Sequence, residues 1–423
     1  MEAESIPQQV EEKPQLENAD LVVGVLADLE PNSVTMMCDS LRALQAPLKI
    51  AVLQKDHHEA AVVAKPQGAD TSSFQESSSR TTVFQVAWPL TKPESTTTGA
   101  LSMFAAYQAV FVAAEKFQAR GCCIMASKLE NMTPQTACQL AQPLFEGEVD
   151  LVLPHYAPRK FDGLLNNSVL APLIRTLYGK RVNNPMGPDF GISRRLLQRM
   201  LTTRTGSTDG SRLHPLASLT PAALCENLHI MEVRFSSRIY PPTDWSNMSS
   251  VLADVLTPVF LDMERNAPCW QRTRISTPLS SVGASPPQGQ DIGTVDTNRL
   301  VESFQLGTRE LQEIWGLVLP PSTLFELRKL SRLPADQFRM PDELWVRIVY
   351  DFALAHRLRT ISRDHLLRSL TPLYLGWVAS YARDLQTSGA TSPERRLEQL
   401  GVAYEAEKSY LVSRWRWPDR FNP

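Results

Sequence analysis

The sequence lacks the features that mark several large classes of protein. No apolar run approaches the ~20 residues of a transmembrane helix, and the polar start has neither the basic nor the apolar region of a signal peptide. Lys and Arg total 43 against 45 Asp and Glu, which gives a net charge of −2. This balance argues against a chain built to coat nucleic acid. We therefore expect a cytoplasmic protein with no membrane span and no nucleic-acid partner.

Cysteine is scarce and scattered, and no two cysteines form a C-x-x-C pair. The sequence therefore predicts neither a zinc site built from thiolates nor a disulfide framework. Both absences fit a reducing compartment. The six cysteines are Cys38, Cys122, Cys123, Cys138, Cys225 and Cys269.

What the first 270 residues do contain is an alternation of short apolar runs with amphipathic segments. Apolar runs of strand length lie at 19–26 and 48–56, and the segment 33–46 between them has the apolar spacing of a helix. A strand, a helix and a second strand in succession are the opening of a parallel α/β sheet. A long apolar helix is predicted from Gly99 to Arg120. The further strand candidates are TTVFQVAWP, GCCIMAS, VDLVLPHY and IMEVRFSSRIY.

Strand patterns stop after a Ser/Pro/Gly-rich stretch near residue 280, and helical spacing continues to the end of the chain. Large apolar residues recur there at helical intervals, which predicts a core packed against the sheet domain. The helices are expected near 299–319, 322–332, 341–358, 362–384 and 393–413. The predicted core residues are Trp315, Leu344, Trp345, Ile348, Phe352, Leu373, Tyr374 and Trp377.

These patterns divide the chain into four parts. Residues 1–18 are polar and rich in Glu, Gln and Pro, which predicts a flexible tail. Residues 19–272 form the predicted α/β domain, and 273–298 form a Ser/Pro/Gly-rich linker. Residues 299–423 form a helical C-terminal domain. The length of 423 residues suits such a division.

Several spaced blocks in the first of these domains resemble one enzyme family. The segment DLVLPHYAPRKFDG is followed by YGKRV and then by PMGPDFG, with KLENMTPQTACQLAQPL before them and LTPLYLGWVASYARD near the end. In this order they resemble glycosyltransferase family 2-like enzymes related to mannosylglycerate and glucosyl-3-phosphoglycerate synthases. The resemblance implies a GT-A (Rossmann-like) fold: a mixed, mainly parallel sheet flanked by helices, with an all-α C-terminal extension.

The family's metal site is degenerate in this sequence. Relatives use Mg²⁺ or Mn²⁺, held by a D-x-D motif after the fourth strand and by a later histidine, to neutralise the leaving diphosphate. Here the first position reads Ala126, Ser127 and Lys128, and Tyr240 stands where the histidine is expected. We therefore expect no metal and no other cofactor. Lys128 either neutralises a diphosphate in place of the metal or is a solvated charge at a vacated site.

The acceptor side of the family site is better preserved. Arg159 and Lys160 follow a predicted strand end, where α/β sheets bind ligands, and they can hold a carboxylate or a phosphate. The alternative is a surface Arg-Lys pair in a turn. Asp189 is the candidate catalytic and substrate-binding residue; otherwise it caps the helix that begins near Ser193. Gly187 is assigned to the same site because glycine lets the backbone approach a ligand closely.

Three interpretations follow from these residues. The first is an active glycosyltransferase that moves a hexose from a sugar nucleotide to a small acidic acceptor. The second is a pseudoenzyme of the same fold, a binding or scaffolding module that forms a homo-oligomer or pairs with an active paralogue. The acidic loop at 27–30, where the family contacts the nucleotide, favours this second interpretation. The third is an unrelated α/β protein that only echoes the blocks.

Overall fold

The computed structural model places the predicted α/β and helical regions in one structure. Residues 1–17 of the predicted tail and residues 285–294 of the predicted linker lie outside the residues that it describes, and so do Asp28, Glu30 and Tyr240. The boundaries of the four predicted parts therefore stay a prediction. The described residues are 18–27, 31–44, 47–55, 81–88, 99–128, 135–146, 149–157, 159–205, 215–238, 245–284, 295–387 and 392–418.

Residues 21–282 supply the strands of an eight-stranded sheet. Its strand order is β10-β8-β5-β7-β4-β1-β2-β3, and every pairing is parallel except those of β7, which runs antiparallel to β4 and to β5. Two further short strands, β6 and β9, pair with each other. The strands are β1 Leu21–Val25, β2 Lys49–Lys55, β3 Thr82–Trp88, β4 Gly121–Met125, β5 Leu151–Tyr156, β6 Lys180–Arg181, β7 Phe190–Ser193, β8 Ile230–Phe235, β9 Thr277–Pro278 and β10 Ser280–Val282.

This sheet confirms the predicted fold class, a mixed and mainly parallel sheet with helices. The central strands β1 and β4 are buried at every residue, as their unbroken apolar runs indicate for strands covered on both faces. The region predicted as a strand over 230–240 forms a strand only to Phe235. Strand β7 was not predicted: the sequence indicated a loop up to Ser193, where β7 instead supplies the antiparallel neighbour of β4 and β5.

Helices cover both faces of this sheet. The predicted long helix ends at Lys116, four residues earlier than expected, and Tyr107, Val110 and Phe111 in its middle are fully buried. Ser193 accepts a hydrogen bond from the amide of Leu196 and so begins the next helix, as a cap residue does. The helices of this half are α1 Pro31–Arg42, α2 Gly99–Lys116, α3 Gln135–Glu146, α4 Ala171–Tyr178, α5 Arg194–Thr205, α6 Pro215–Cys225, α7 Met248–Arg265 and α8 Ala267–Trp270.

One turn of π-helix, Asn166–Leu170, leads directly into α4. In such a turn the backbone bonds are shifted by one residue, which leaves a carbonyl open to other donors. The carbonyl of Ser168 accepts hydrogen bonds from the indole of Trp345 at 3.2 Å and from the hydroxyl of Tyr404 at 2.8 Å. Both donors belong to the C-terminal helices, so the two halves of the chain meet at this turn.

The described residues of the C-terminal region form helices and no strand, as predicted. All eight predicted core residues are buried, and Trp345 and Trp377 stack with ring centroids 6.1 Å apart. The helices are α9 Thr297–Glu310, α10 Gln312–Gly316, α11 Pro321–Leu330, α12 Asp342–Leu358, α13 Arg363–Ser369, α14 Thr371–Thr387, α15 Pro393–Ala406 and α16 Lys408–Arg416.

The start of the predicted linker is ordered. Residues 277–278 form β9 beside β6, and residues 280–282 form β10 at the edge of the large sheet beside β8. These short strands are largely exposed, in line with their Ser- and Pro-rich composition. They extend the sheet beside the cavity described below. Among the helices in the described part of the chain, none is both long and apolar enough to cross a bilayer.

Helix α15 lies so close to α4 that one glycine at the contact has no space for a side chain. A β-carbon at Gly401 would lie 2.5 Å from Nη1 of Arg175 and 3.1 Å from its Cζ. We expect Gly401→Ala to lower the free energy of unfolding by about 1–3 kcal/mol, because overpacking exceeds the better helix propensity of alanine. Denaturant unfolding measures this. Gly316→Ala is the matched control, because a β-carbon there meets nothing within 4 Å; an equal loss in both variants would contradict the packing argument.

Candidate functional site

The candidate site lies at the edge of the sheet where the parallel strands end. Strands β1, β4, β5 and β8 all finish at this edge, and the antiparallel β7 begins there. The topology therefore brings together four segments: 126–128 after β4, 159–162 after β5, 187–189 before β7 and 236–238 after β8. Ligands of open α/β sheets bind at such an edge.

Asp189 is the buried centre of this edge. One carboxylate oxygen accepts the backbone N–H groups of Ala126 and Ser127, at 2.7 and 2.9 Å. The other accepts the hydroxyl of Tyr156 at 2.6 Å, and that hydroxyl lies 3.3 Å from Oγ of Ser127. Only 3% of Asp189 is exposed. Its carboxylate thus holds the segment after β4 in place and makes no described bond to the following helix. Its predicted catalytic role stays a prediction.

The negative charge of Asp189 contributes to raising the pKa of two neighbouring tyrosines, Tyr156 and Tyr107. Burial, and then the charge of Asp189, raise the pKa of Tyr156 and Tyr107 well above the usual range. Both phenols are therefore neutral at every physiological pH. Arg238 lies near enough to oppose both shifts. The edge thus combines one buried anion with a cation from the end of β8.

The two glycines that flank Asp189 approach protein atoms rather than open space. A β-carbon at Gly187 would lie 2.4 Å from Cγ of Pro154, and one at Gly191 would lie 2.7 Å from the carbonyl oxygen of Leu140. Their small size therefore lets the segment carrying Asp189 pack against β5 and α3. This gives Gly187 a packing role; its predicted ligand contact remains a prediction.

The described residues at this edge do not fit a divalent ion of the kind that the resembled enzymes use. Ala126, Ser127 and the exposed Lys128 follow β4 directly. The carboxylate of Asp189 already accepts three hydrogen bonds from the protein. Hard cations prefer several open oxygen ligands. Within the described ranges, no group of three or more His, Cys, Asp or Glu side chains could hold a metal. The degenerate position Tyr240 lies outside those ranges.

A cavity of about 440 Å³ opens between β5 and β8 on one side and α4 and α15 on the other. Tyr156, which donates to Asp189, belongs to its lining, whereas Asp189 itself does not. The cavity volume lies in the range of small-molecule sites. The charged side chains of the cavity lining are four arginines and four carboxylates, and its other polar residues include a histidine and four asparagines. They are Arg159, Arg175, Arg181, Arg238, Asp162, Glu232, Glu394, Glu398, His155, Asn166, Asn167, Asn183 and Asn184.

Neighbouring positions of β5 and β8 supply a histidine and a glutamate to this lining. Glu232 is buried and accepts two hydrogen bonds from Asn183, both at 2.7 Å. Burial raises the pKa of Glu232 to about 7, although the two hydrogen bonds from Asn183 act in the opposite direction. Burial, and then the positive charge of Arg234, lower the pKa of His155. The Nδ1 atom of His155 lies 3.9 Å from the Glu232 carboxylate. His155 is therefore mainly neutral at pH 7 and able to accept a proton.

The structure separates the two predicted acceptor residues. Arg159 is buried, lines the cavity and pairs with Asp162 at 3.1 Å. The side chain of Lys160 is exposed and outside the lining, while its carbonyl accepts the hydroxyl of Tyr381 at 3.0 Å.

Local sequence patterns do not single out the other three cavity arginines. Arg175 lies inside a helix, Arg181 follows a turn, and Arg238 follows a strand in the motif that contains Tyr240. These cations come together only when the strand ends and α15 meet in the fold. The available indication was that several arginines lie in or near β5, β6 and β8.

The fold and the site together define a mixed α/β domain with a polar cavity at its strand ends and a helical extension that walls it. No protein-family model matches the sequence, and no curated protein matches it. Comparison with solved structures finds enzymes of the type that the sequence blocks resemble.

Three of these solved structures illustrate the match. Glucosyl-3-phosphoglycerate synthase from Mycobacterium tuberculosis in complex with phosphoglyceric acid shares 17% identity, with a TM-score of 0.35, over 58% of this chain and 80% of that one. The same enzyme in complex with Mn²⁺, UDP-glucose and phosphoglyceric acid shares 16%, with a TM-score of 0.34, over 63% and 90%. Mannosyl-3-phosphoglycerate synthase from Rubrobacter xylanophilus shares 15%, with a TM-score of 0.34, over 60% and 76%.

Proposed function

We propose that this protein is a glycosyltransferase that moves a hexose from a sugar nucleotide to a small acidic acceptor without a metal site of the D-x-D type. The observation that carries this proposal is the arginine-lined cavity at the carboxyl edge of β5 and β8. Arginine holds carboxylates and phosphates through paired hydrogen bonds, and the asparagines beside it suit hydroxyl groups. An anionic, polyhydroxylated acceptor fits such a lining.

The donor is proposed to bind at the neighbouring segment 126–128. The leaving diphosphate gains charge as the bond to the sugar breaks, and fixed cations can stabilise that charge. Lys128, at the end of β4, and Arg238, at the end of β8, are the cations we assign to this task. Asp189 then acts as a positioning residue, because it fixes the backbone of Ala126 and Ser127 on which Lys128 depends.

The acceptor needs a group to take the proton of its attacking hydroxyl. His155 faces the cavity and is the candidate, since burial keeps its imidazole neutral near pH 7. The acceptor oxygen forms the new bond to the anomeric carbon, the old bond to the diphosphate breaks, and the diphosphate leaves with the electron pair. The acceptor proton passes to His155.

The test is a panel of UDP-, GDP- and ADP-sugars, measured by calorimetry and by turnover with and without Mn²⁺ or EDTA. We expect one sugar nucleotide to bind and to react with an acid acceptor equally well in EDTA. Lys128→Gln should weaken donor binding at least about tenfold, and Lys128→Arg should restore most of it. Lys329→Gln, an exposed lysine on α11, is the control. Failure of every sugar nucleotide to bind would sink the proposal.

The second candidate is a catalytically silent module of the same fold. The observation that favours it is that the described residues directly after β4, 126–128, include no carboxylate, and that the oxygens of Asp189 are engaged in internal hydrogen bonds. This candidate predicts ligand binding in the cavity, alone or in a homo- or hetero-oligomer, with no turnover in the same panel. Tight Mn²⁺ binding by the unmodified protein would contradict both candidates.

A further inference from the structure

Two cysteines that are distant in the sequence meet near the protein surface. Cys225 ends α6 and Cys269 lies in α8, and both helices pack against α4. All six cysteines of the chain are free thiols. Cys225 and Cys269 are half-buried, and the residues beside them, Glu226 and Pro268, are exposed. A small molecule can therefore reach this pair from solvent.

The sulfur atoms of these two cysteines lie next to each other. The thiol of Cys225 donates a hydrogen bond to the sulfur of Cys269, and burial together with this bond raises the pKa of Cys225. Burial, then Asp262, and then the charges of both sulfurs raise the pKa of Tyr178, so both sulfurs lie near the phenol that ends α4. A disulfide requires two cysteines in such close approach. The fold thus supplies a pair that the spacing of the cysteines in the sequence does not reveal.

A cation lies on the Cys269 side of the pair. Lys408 of α16 donates hydrogen bonds to the carbonyl oxygens of Thr176 at 2.6 Å and of Thr273 at 2.8 Å, and both acceptors are uncharged. Burial lowers the pKa of Lys408 to about 8, although the charges of Glu405 and Cys269 act in the opposite direction. The amine is therefore mainly protonated at pH 7 and lies near the sulfur of Cys269. In proteins, peroxides oxidise thiols that are accessible and lie beside a cation.

We infer that Cys225 and Cys269 are a redox-active pair that hydrogen peroxide converts reversibly into a disulfide joining α6 to α8. Cys269 is the attacking residue, because the ammonium group of Lys408 lies near its sulfur. This sulfur bonds to one peroxide oxygen, the O–O bond breaks, and the other oxygen leaves as water with the thiol proton. The sulfur of Cys225 then bonds to the sulfenic sulfur of Cys269, the S–O bond breaks, and a second water leaves. Two thiols are oxidised to one disulfide, and one peroxide is reduced to two waters.

The other four cysteines lie in different surroundings. Cys122 and Cys123 are fully buried on β4, and Cys38 is buried as well. Cys138 of α3 is half-buried like the pair, but the cysteine near it, Cys123, is inaccessible. Cys138 is therefore the matched control, because it shows what partial exposure does to a thiol without an accessible partner cysteine beside it.

The test treats the reduced full chain with hydrogen peroxide, removes the excess with catalase and counts free thiols after denaturation. We expect the loss of two of the six thiols, and their return with dithiothreitol. Mass spectrometry should find a linked peptide containing Cys225 and Cys269, lighter by two hydrogen atoms than its reduced parts. Cys138→Ser should form this linked peptide to the same extent, and Cys225→Ser and Cys269→Ser should form none.

The order of attack has a separate readout. Dimedone, which labels sulfenic acids, should label position 269 in Cys225→Ser at least about fivefold more than position 225 in Cys269→Ser. Thermal unfolding shows whether each variant is folded. Equal labelling would contradict the role of Cys269 as the attacking residue. The inference is overturned if peroxide forms no link between these residues in the wild type, or forms it no faster in the folded protein than in guanidinium. No sugar nucleotide or acceptor takes part, so the result is independent of the proposed transfer reaction.

Discussion

Replacing Asp189 with alanine should lower the free energy of unfolding by about 3–5 kcal/mol, measured by denaturant titration at pH 7. The substitution leaves the amides of Ala126 and Ser127 and the hydroxyl of Tyr156 buried without their acceptor. Each unsatisfied buried group costs about 1–3 kcal/mol, partly relieved by relaxation. The same substitution should also loosen the segment that carries Lys128.

Two further variants separate this effect from a general loss of charge. Asp189→Asn keeps one carbonyl oxygen for the two amides, and its NH₂ group can donate to Tyr156, so we expect a loss of only about 1–2 kcal/mol. Asp364→Ala removes an exposed carboxylate that pairs with Arg368 at 2.8 Å, and it should cost less than about 1 kcal/mol. If Asp189→Ala lowered the free energy of unfolding no more than Asp364→Ala does, the hydrogen bonds of Asp189 would not stabilise the protein to the expected extent.

His356 should lower the free energy of unfolding in acid. Replacing His356 should remove this loss. The ring is fully buried, packs edge-on against Phe260 at 5.6 Å, and neither of its nitrogens has a hydrogen-bond partner among the described residues. Burial, and then the cations of Arg363 and Arg359, lower its pKa to about 4. The unfolded chain has an ordinary histidine pKa of about 6.5.

The direction of the pH effect follows from these two values. Between pH 6.5 and pH 4 the unfolded chain binds a proton at His356 and the folded protein does not, so acid favours unfolding. Lowering the pH from 7 to 4.5 should therefore cost about 2–3 kcal/mol through this residue.

The measurement is the difference in unfolding free energy between variant and wild type at the two pH values. His356→Leu should become more stable relative to the wild type by about 2–3 kcal/mol as the pH falls from 7 to 4.5. His229→Gln, at an exposed histidine, should follow the wild type at both values. The wild type also contains buried carboxylates with raised pKa, such as Asp351 and Glu232, whose effect runs the other way. The comparison between variants cancels that contribution, and a constant difference would contradict the assignment.

The helical C-terminal region and the parallel strands were predictable because local sequence patterns specify them. The residues from Trp315 to Trp377 recur at helical spacing, and a periodic apolar face can bury itself only against a core. Strand β7 was not predictable in the same way: four residues after a Pro- and Gly-rich loop have no periodicity to show. Its position between β4 and β5 is decided by pairing with strands distant in the sequence.

The candidate site was predictable only in part for the same physical reason. Arg159 follows a recognisable strand end, and the fold places it in the cavity as the topology of an α/β sheet requires. The role of Asp189 depends on the amides after β4 and the hydroxyl at the end of β5, which no local pattern links to it. The contact of Arg175 with Glu398 joins residues 223 positions apart. Such pairs are decided by tertiary packing alone.

The hydrogen bond from Tyr404 to the π-helical turn has a consequence for how the nascent protein matures. Its donor and acceptor are separated by 236 residues. At a translation rate of about 5–20 residues per second, the ribosome needs on the order of tens of seconds to make the intervening polypeptide. Trp345, the other donor to the Ser168 carbonyl, is made 177 residues after Ser168, and Tyr404 is made later still. Until α15 is made, the cavity lacks one wall. The pocket therefore takes its final form only late in synthesis, when α12 and α15 have emerged and docked.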